Sequence, residues 1–119
     1  MPTANRHHET VLVADDDQLQ CHLLFELLNA EGYRVVCARD GREAMEQVKN
    51  DAIDLLLLDV RMPYASGFEV CQAIKSNPET RLIPVVLLTG ASGDADRVQG
   101  IVCGADDFLP GAAFGNAPG

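Results

Sequence analysis

The sequence is short of positive charge, and this shortage excludes several kinds of partner. Lysine and arginine together number 9 against 18 aspartates and glutamates, which gives a formal net charge of −9 at pH 7. Clustered Lys and Arg side chains carry the binding of nucleic-acid backbones and of anionic membrane surfaces. We therefore expect neither nucleic acid nor a membrane as a direct partner of this domain.

Long apolar stretches are also missing from the sequence. The longest runs, such as Leu55–Leu58 and Val85–Leu88, are far shorter than the roughly 20 residues that a membrane-spanning helix needs. The N-terminal segment MPTANRHHET lacks the apolar centre of a secretion signal. Together these features predict a cytoplasmic protein.

Cysteine pairs at metal-binding or redox spacing are absent as well. The four cysteines, Cys21, Cys37, Cys71 and Cys103, are widely separated, and each lies in an apolar stretch. We interpret them as reduced thiols in or near the core rather than as disulfide partners or zinc ligands. With 119 residues, of which 47% are hydrophobic, the chain has enough material for one domain with a core.

Apolar segments of strand length alternate along the chain with segments of helical period. Strands are predicted at Thr10–Ala14, Arg34–Ala38, Leu55–Asp59, Val85–Thr89 and Asp107–Leu109. Helices are predicted between Leu19 and Gly32 and at Gly41–Asn50, Gly67–Asn77 and Asp94–Cys103. Strands that are apolar on every residue are typical of a parallel sheet covered by helices. The alternation therefore predicts an α/β fold with an open parallel sheet.

The apolar periods also predict which helical side chains face the sheet. The first helix carries a stripe formed by Leu19, Leu23, Leu24, Leu27 and Leu28. In the last predicted helix, we expect Val98, Ile101 and Val102 to point inward because they share one helical face.

Acidic residues follow the ends of two predicted strands. Asp15 and Asp16 come directly after the first strand, Asp59 ends the third, and Thr89 ends the fourth. Ligands of open α/β sheets bind outside the carboxyl ends of the strands. If the first and third strands are neighbours, the carboxylates meet in one pocket, where a pair about 5 Å apart repels by on the order of 3 kcal/mol. A hard dication such as Mg²⁺ relieves this repulsion, so the pattern predicts a metal site.

Helix capping is the alternative explanation of the acidic triplet Asp15–Asp17. Asp is a preferred N-cap residue, and acidic side chains complement the dipole at the start of a helix. We expect Asp17 to have this role. Capping does not explain Asp59, which ends a wholly apolar strand, so the combination of the triplet with Asp59 and Thr89 favours a functional site.

Four segments of the chain resemble the receiver domains of two-component response regulators. They are VLVADDD, LLLLDVRMPYASGFEV, IPVVLLTG and GADDFLP, in the same order and at the same separations. The most specific signature is an Asp at a strand end followed by x-x-Met-Pro, with Gly67 four residues further on. The resemblance covers about residues 9–110 and implies a flavodoxin-like, open parallel five-stranded sheet with strand order 2-1-3-4-5.

The resemblance also implies a role for each candidate site residue. Asp59 would be the phosphoacceptor and, with Asp16, would bind Mg²⁺ or Mn²⁺ directly. Asp15 would act on the metal largely through water, and the backbone carbonyl of Arg61 would complete the protein ligands. Thr89 would donate its hydroxyl group to a phosphoryl oxygen.

Phe108 would be the aromatic residue whose rotamer reports the phosphorylation state. A phosphoryl group adds nearly two negative charges and strong acceptor oxygens. If Thr89 moves towards these oxygens, it leaves space that the Phe108 ring can fill, which gives a packing switch with two states. Without the resemblance, Phe108 would be interpreted as an ordinary core aromatic.

The sequence departs from the family pattern at its C-terminal end. Gly111 stands where the family has a Lys, and a hydrogen bond to a charged group is worth on the order of 1.5–3 kcal/mol. The segment GAAFGNAPG (111–119) is interpreted as a flexible tail that cannot form the family's last helix. The remaining chain divides into an N-terminal arm (1–8) and the receiver domain (9–110). A natural short receiver, a piece of a longer regulator and an altered sequence remain open as explanations.

A missing last helix would leave part of one sheet face uncovered. Exposed apolar surface of this kind predicts self-association as a homodimer, or a helix borrowed from a partner.

Two functions from different classes follow from the sequence. The first is a signalling receiver, not a classical enzyme, that a sensor histidine kinase or a phosphotransfer protein phosphorylates on Asp59. The second is a degenerate receiver that acts as a phosphorylation-independent adaptor or dimerisation module. A phosphatase with an aspartyl nucleophile is disfavoured because Arg61 stands where such an enzyme needs a second Asp as acid/base. A flavodoxin-like cofactor binder is disfavoured because no Gly- or hydroxyl-rich phosphate loop follows the first strand.

Overall fold

Strands and helices alternate in the structure as the sequence predicts. The computed structural model describes residues 9–89 and 94–110. The strands are β1 (Thr10–Ala14), β2 (Arg34–Ala38), β3 (Leu55–Asp59), β4 (Val85–Thr89) and β5 (Asp107–Pro110). The helices are α1 (Gln18–Ala30), α2 (Gly41–Asn50), α3 (Gly67–Ser76) and α4 (Asp94–Cys103). No helix in these two ranges is both long and apolar enough to cross a bilayer.

The five strands form one parallel sheet in the order β2-β1-β3-β4-β5. The predicted fold class and strand order are therefore confirmed. In the register of the sheet, Ala14 at the end of β1 pairs with Leu58 of β3, and Asp59 pairs with Leu88 of β4. The residues that follow β1 thus lie beside the last residue of β3, at the edge where all carboxyl ends of the strands meet.

The two faces of the sheet carry separate apolar clusters. One cluster packs β-strand side chains against α2, α3 and α4, whose buried contributions are Ala44, Val48, Val70, Cys71, Ile74 and Cys103. The other packs Val11, Val13, Leu57 and Leu88 against Cys21 and Leu24 of α1. Within the described residues, α1 is the only helix on this second face. The predicted N-terminal arm, Gly111, and the tail from which a missing last helix was inferred lie outside the described residues.

The predicted inward face of α4 is wrong. Val98, Ile101 and Val102 are 62%, 65% and 77% exposed. Instead, Gly100 faces the sheet, and a Cβ atom there would overlap the ring of Phe108. The absence of a side chain at Gly100 leaves room for this ring. The Gly100 side of α4 therefore faces the core, and the three apolar side chains face outward.

The predicted leucine stripe of α1 is only partly correct. Leu24 is buried and Leu28 packs against the same cluster, but Leu19 and Leu27 are 66% and 58% exposed. Cys21 is buried on this side of α1 as well. Its thiol donates to the carbonyl of Asp15, just after β1, at 3.4 Å.

The four cysteines form no disulfide. Cys21, Cys71 and Cys103 are buried, as expected for core thiols. Cys37 is exposed because it lies on β2, the edge strand of the sheet.

Candidate functional site

Three carboxylates come together where β1 and β3 end. One carboxylate oxygen from each of Asp15, Asp16 and Asp59 lies within 4.8 Å of the other two. Asp15 is only 1% exposed, Asp59 is half-buried and Asp16 is exposed. The cluster is therefore anchored in the protein on the Asp15 side and open to solvent on the Asp16 side. The predicted convergence of these three residues is present in the structure.

Asp15 is held on both of its carboxylate oxygens. Its Oδ1 accepts the backbone N–H of Asp17 at 2.9 Å, and its Oδ2 accepts the side-chain amide of Gln20 at 2.6 Å. Its own N–H donates to the carbonyl of Ala38 at 3.0 Å, which ties the residue to the end of β2. These contacts fix both the backbone and the carboxylate plane of Asp15.

Asp17 has the capping role that the sequence predicts for it. It is the N-cap of α1, and its Oδ1 accepts the backbone N–H groups of Leu19 at 3.0 Å and of Gln20 at 3.4 Å. Its carboxylate is thus engaged with the helix end and is not one of the three clustered groups.

The surroundings of Asp59 disfavour the charged form of its carboxyl group. Burial, followed by the nearby charge of Asp15, raises the pKa of Asp59 from 3.8 to about 7, against the opposing effect of the Arg61 N–H. That N–H donates to Asp59 Oδ1 at 3.2 Å. Crowded carboxylates of this kind bind either a proton or a cation, and an all-oxygen donor set fits a hard ion such as Mg²⁺ or Mn²⁺.

The loop between β3 and α3 is braced against its surroundings. Gly67 packs so closely on the Asp59 carbonyl that a Cβ atom would overlap it. Tyr64 has a positive φ of 70°, and the guanidinium of Arg42 stacks over its ring at 4.1 Å from the centroid. Gly41, at the start of α2, packs in the same close manner on the carbonyl of Ala65. These contacts restrain the segment that carries Arg61.

Thr89 and Phe108 lie on neighbouring strands. Thr89 is buried at the end of β4, one residue beyond the Leu88 that pairs with Asp59. Phe108 pairs with Leu87 of β4 and packs in the cluster on the α2–α4 face. Because side chains alternate along a strand, Thr89 points to the same face as Leu87 and hence as Phe108.

Gln20 is the site residue that the sequence reasoning missed. It lies in the first turn of α1, three residues after the Asp17 cap, where Gln is commonly interpreted as a capping residue. Its distance of five residues from Asp15 gives no signal of their contact in the sequence, since the contact depends on how the chain turns from β1 into α1.

The chain's relationship to known proteins agrees with this geometry. Residues 11–111 match the family model of the response regulator receiver domain. The chain belongs to this family. The receiver signatures noted in the sequence are those that surround the acidic cluster and the strand ends.

Two curated relatives illustrate the relationship. The response regulator PleD from Caulobacter vibrioides is 48% identical to this receiver over 99 residues. The transcriptional regulatory protein CpxR from Escherichia coli is 44% identical over 100 residues. The alignments cover 83% and 84% of this chain but only 22% of PleD and 41% of CpxR. The receiver therefore spans less than half the length of either relative.

Solved receiver structures share the fold. The chemotaxis response regulator CheY4 of Vibrio cholerae superposes with a TM-score of 0.82 at 29% identity, covering 87% of each chain. The Mn²⁺-bound form of response regulator Rcp1 superposes with a TM-score of 0.77 at 29% identity, covering 86% of this chain and 80% of that one.

Proposed function

We propose that this receiver accepts a phosphoryl group on Asp59 in a reaction that requires Mg²⁺ or Mn²⁺. The observation that carries the proposal is the convergence of Asp15, Asp16 and Asp59 within 4.8 Å at the carboxyl edge of the sheet. The Mn²⁺-bound form of the similar protein Rcp1 supports the choice of cation. We infer that the donor is a sensor histidine kinase or a phosphotransfer protein and that the chain works in the cytoplasm.

The residues of the cluster would have two roles, binding of the cation and attack on the phosphoryl group. Asp16 and Asp59 would hold the cation directly, Asp15 through water, and the Arg61 carbonyl would add a fourth oxygen. When bound, the cation supplies charge neutralisation for the incoming phosphoryl group. The Asp59 carboxylate attacks the phosphorus atom, the bond from phosphorus to the donor imidazole breaks, and the imidazole leaves with its electron pair. The Arg61 N–H keeps the Asp59 carboxylate oriented during this step.

Thr89 and Phe108 would convert the new charge into a change of packing. The hydroxyl of Thr89 donates to a phosphoryl oxygen and draws Thr89 towards Asp59. The Phe108 ring, which lies on the same sheet face, then moves into the vacated space. Gly111 contributes no ammonium group to this state, so we expect the coupling between phosphorylation and the output surface to be weaker than in receivers that carry a Lys there.

Incubation with a small phosphodonor and Mg²⁺ tests the proposal. We expect intact-mass spectrometry to show the gain of one phosphoryl group on the wild type and no gain on Asp59→Asn, because the nucleophile is missing. Chelation of the metal should also abolish the gain. Asp17→Asn is the matched control, since Asn still caps α1 and Asp17 lies outside the cluster. An equal mass gain in Asp59→Asn, or none on the wild type, would reject phosphorylation at this residue.

A second candidate is a phosphorylation-independent dimerisation module. It is favoured by the exposed apolar side chains on α1 and α4, of which Leu19, Leu27 and Val102 are 66%, 58% and 77% exposed. This function predicts that self-association, measured by sedimentation velocity, is the same for the wild type and Asp59→Asn, with or without the phosphodonor. Loss of association in Leu27→Lys would assign it to α1.

A further inference from the structure

Gln20 makes an unusual contact for a residue in its position. It is the third residue of α1, where the side chain of a Glu or Gln commonly reaches back to the backbone N–H of the N-cap residue. That arrangement occurs in α3, where Glu69 accepts the N–H of the Ser66 cap at 2.9 Å. In α1 the corresponding N–H, that of Asp17, is donated instead to Asp15 Oδ1.

The contact of Gln20 is therefore directed into the acidic cluster. Its Nε2 donates to Asp15 Oδ2 at 2.6 Å, on a carboxylate that is almost completely buried. An ionised carboxylate offers about four acceptor positions. Asp17 donates to one oxygen of Asp15 and Gln20 to the other, and the side chain of Asp59 contacts the same carboxylate from within the cluster.

We propose that Gln20 is a positioning residue for the divalent cation, acting through the orientation of Asp15. The inference rests on the proposed function, because it assumes that the acidic cluster is a cation site. The torsion that rotates an Asp carboxylate is broad, so bonds to both oxygens restrain its plane more than the bond to Oδ1 alone. The second bond, from Gln20, fixes the plane of the carboxylate so that water held by Asp15 lies where the cation needs it.

Isothermal titration of the full chain with MgCl₂ tests this role. In Gln20→Met the side chain keeps its length and loses its donor, and we expect the Kd for Mg²⁺ to rise about tenfold, as is typical when a partner of a metal ligand is removed. In Gln20→Asn the amide is retained but is one methylene too short to reach Asp15, and we expect a similar rise. Gln18→Met is the matched control, because Gln18 is exposed in the same helical turn.

The readout separates a positioning role from a purely structural one. Removal of a donor to a buried carboxylate lowers the free energy of unfolding whatever the role of Gln20, but a structural residue would leave the Kd for Mg²⁺ unchanged. A Kd within twofold of wild type in either folded Gln20 variant, or a lower Kd, would overturn the inference. If the wild type itself binds no Mg²⁺, the proposed function fails; if only the Gln20 effect is absent, the proposed function stands and the positioning role fails.

Discussion

At the scale of the residue, the central feature is a carboxyl group in an environment that disfavours its charge. Asp59 is half-buried, and it faces Asp15 across the cluster. Its pKa is raised from 3.8 to about 7, mainly by burial and next by the charge of Asp15. Without a cation, the folded protein therefore holds a proton on Asp59 more tightly than the unfolded chain does.

This raised pKa predicts how stability depends on pH. Between about pH 4 and pH 7 the folded state binds more protons than the unfolded state at Asp59, so the free energy of unfolding falls as the pH rises through this window. Asn carries no charge at any pH, so Asp59→Asn should have a higher free energy of unfolding than the wild type, by an amount that grows from pH 5 to pH 8. We expect this difference to reach only on the order of 1 kcal/mol, because a half-buried group is partly screened by solvent.

Urea denaturation of both proteins at pH 5 and pH 8, in metal-free buffer, measures this difference. Added Mg²⁺ should reduce it at pH 8, since the cation stabilises the ionised carboxylates of the wild type. If Asp59→Asn and the wild type differ in free energy of unfolding by the same amount at both pH values, the pKa of Asp59 is not raised by folding.

The site could be predicted from the sequence as far as its charged residues. Asp15, Asp16 and Asp59 each come at or after the end of an apolar strand, and strand ends of a parallel sheet share one edge, so their convergence followed from the order of the strands. Gln20 could not be predicted in this way. At the start of α1 the Asp17 N–H donates to Asp15, and Gln20 donates to the same carboxylate instead of capping the helix. No periodicity in the sequence indicates this arrangement.

At the scale of the element, the loop between β3 and α3 is restrained at several points. One residue of this loop, Tyr64, has a φ of 70°, which is strained for a residue with a Cβ atom. The guanidinium of Arg42 on α2 stacks over the Tyr64 ring. We expect this contact to offset part of the strain.

A double-mutant cycle tests this expectation. Arg42→Ala should lower the free energy of unfolding by about 0.5–1 kcal/mol, the usual worth of an exposed cation–π contact. In a Tyr64→Gly background the same change should have no effect, since the ring is gone and glycine adopts the positive φ without strain. In a Tyr64→Phe background it should keep its full cost. Equal costs in all three backgrounds, measured by urea denaturation, would mean that the Arg42–Tyr64 contact does not stabilise the loop.

The elements themselves were largely predictable, but the orientation of α4 was not. Its apolar residues Val98, Ile101 and Val102 share one helical face, which is the usual sign of burial. The structure buries the Gly100 face instead, because the Phe108 ring of β5 fills the space beside that glycine. A glycine carries no apolar signal in a sequence pattern, so only the packing partner reveals its role.

At the scale of the whole molecule, the sheet determines where chemistry occurs. Parallel strands in the order β2-β1-β3-β4-β5 bring the acidic cluster, Thr89 and the end of β5 to one edge. Other carboxylates lie at the opposite edge, where Asp54 accepts the N–H of Thr10 at 2.8 Å near the start of β1. Asp51 lies on the same loop. Acidic side chains therefore lie at both ends of the strands, and we expect the cation to bind only at the end that carries Asp15, Asp16 and Asp59.

Titration of the ¹⁵N-labelled protein with Mn²⁺, followed by amide NMR spectra, distinguishes binding at these two regions. The paramagnetic ion broadens the signals of nearby amides first, so we expect early loss of the signals of Asp15, Asp16 and Asp59, with recovery when excess Mg²⁺ displaces it. The signals of Asp51 and Asp54 should persist and serve as the internal control. Broadening that begins at Asp51 and Asp54, or that spreads evenly over the protein, would contradict a cation site between β1 and β3.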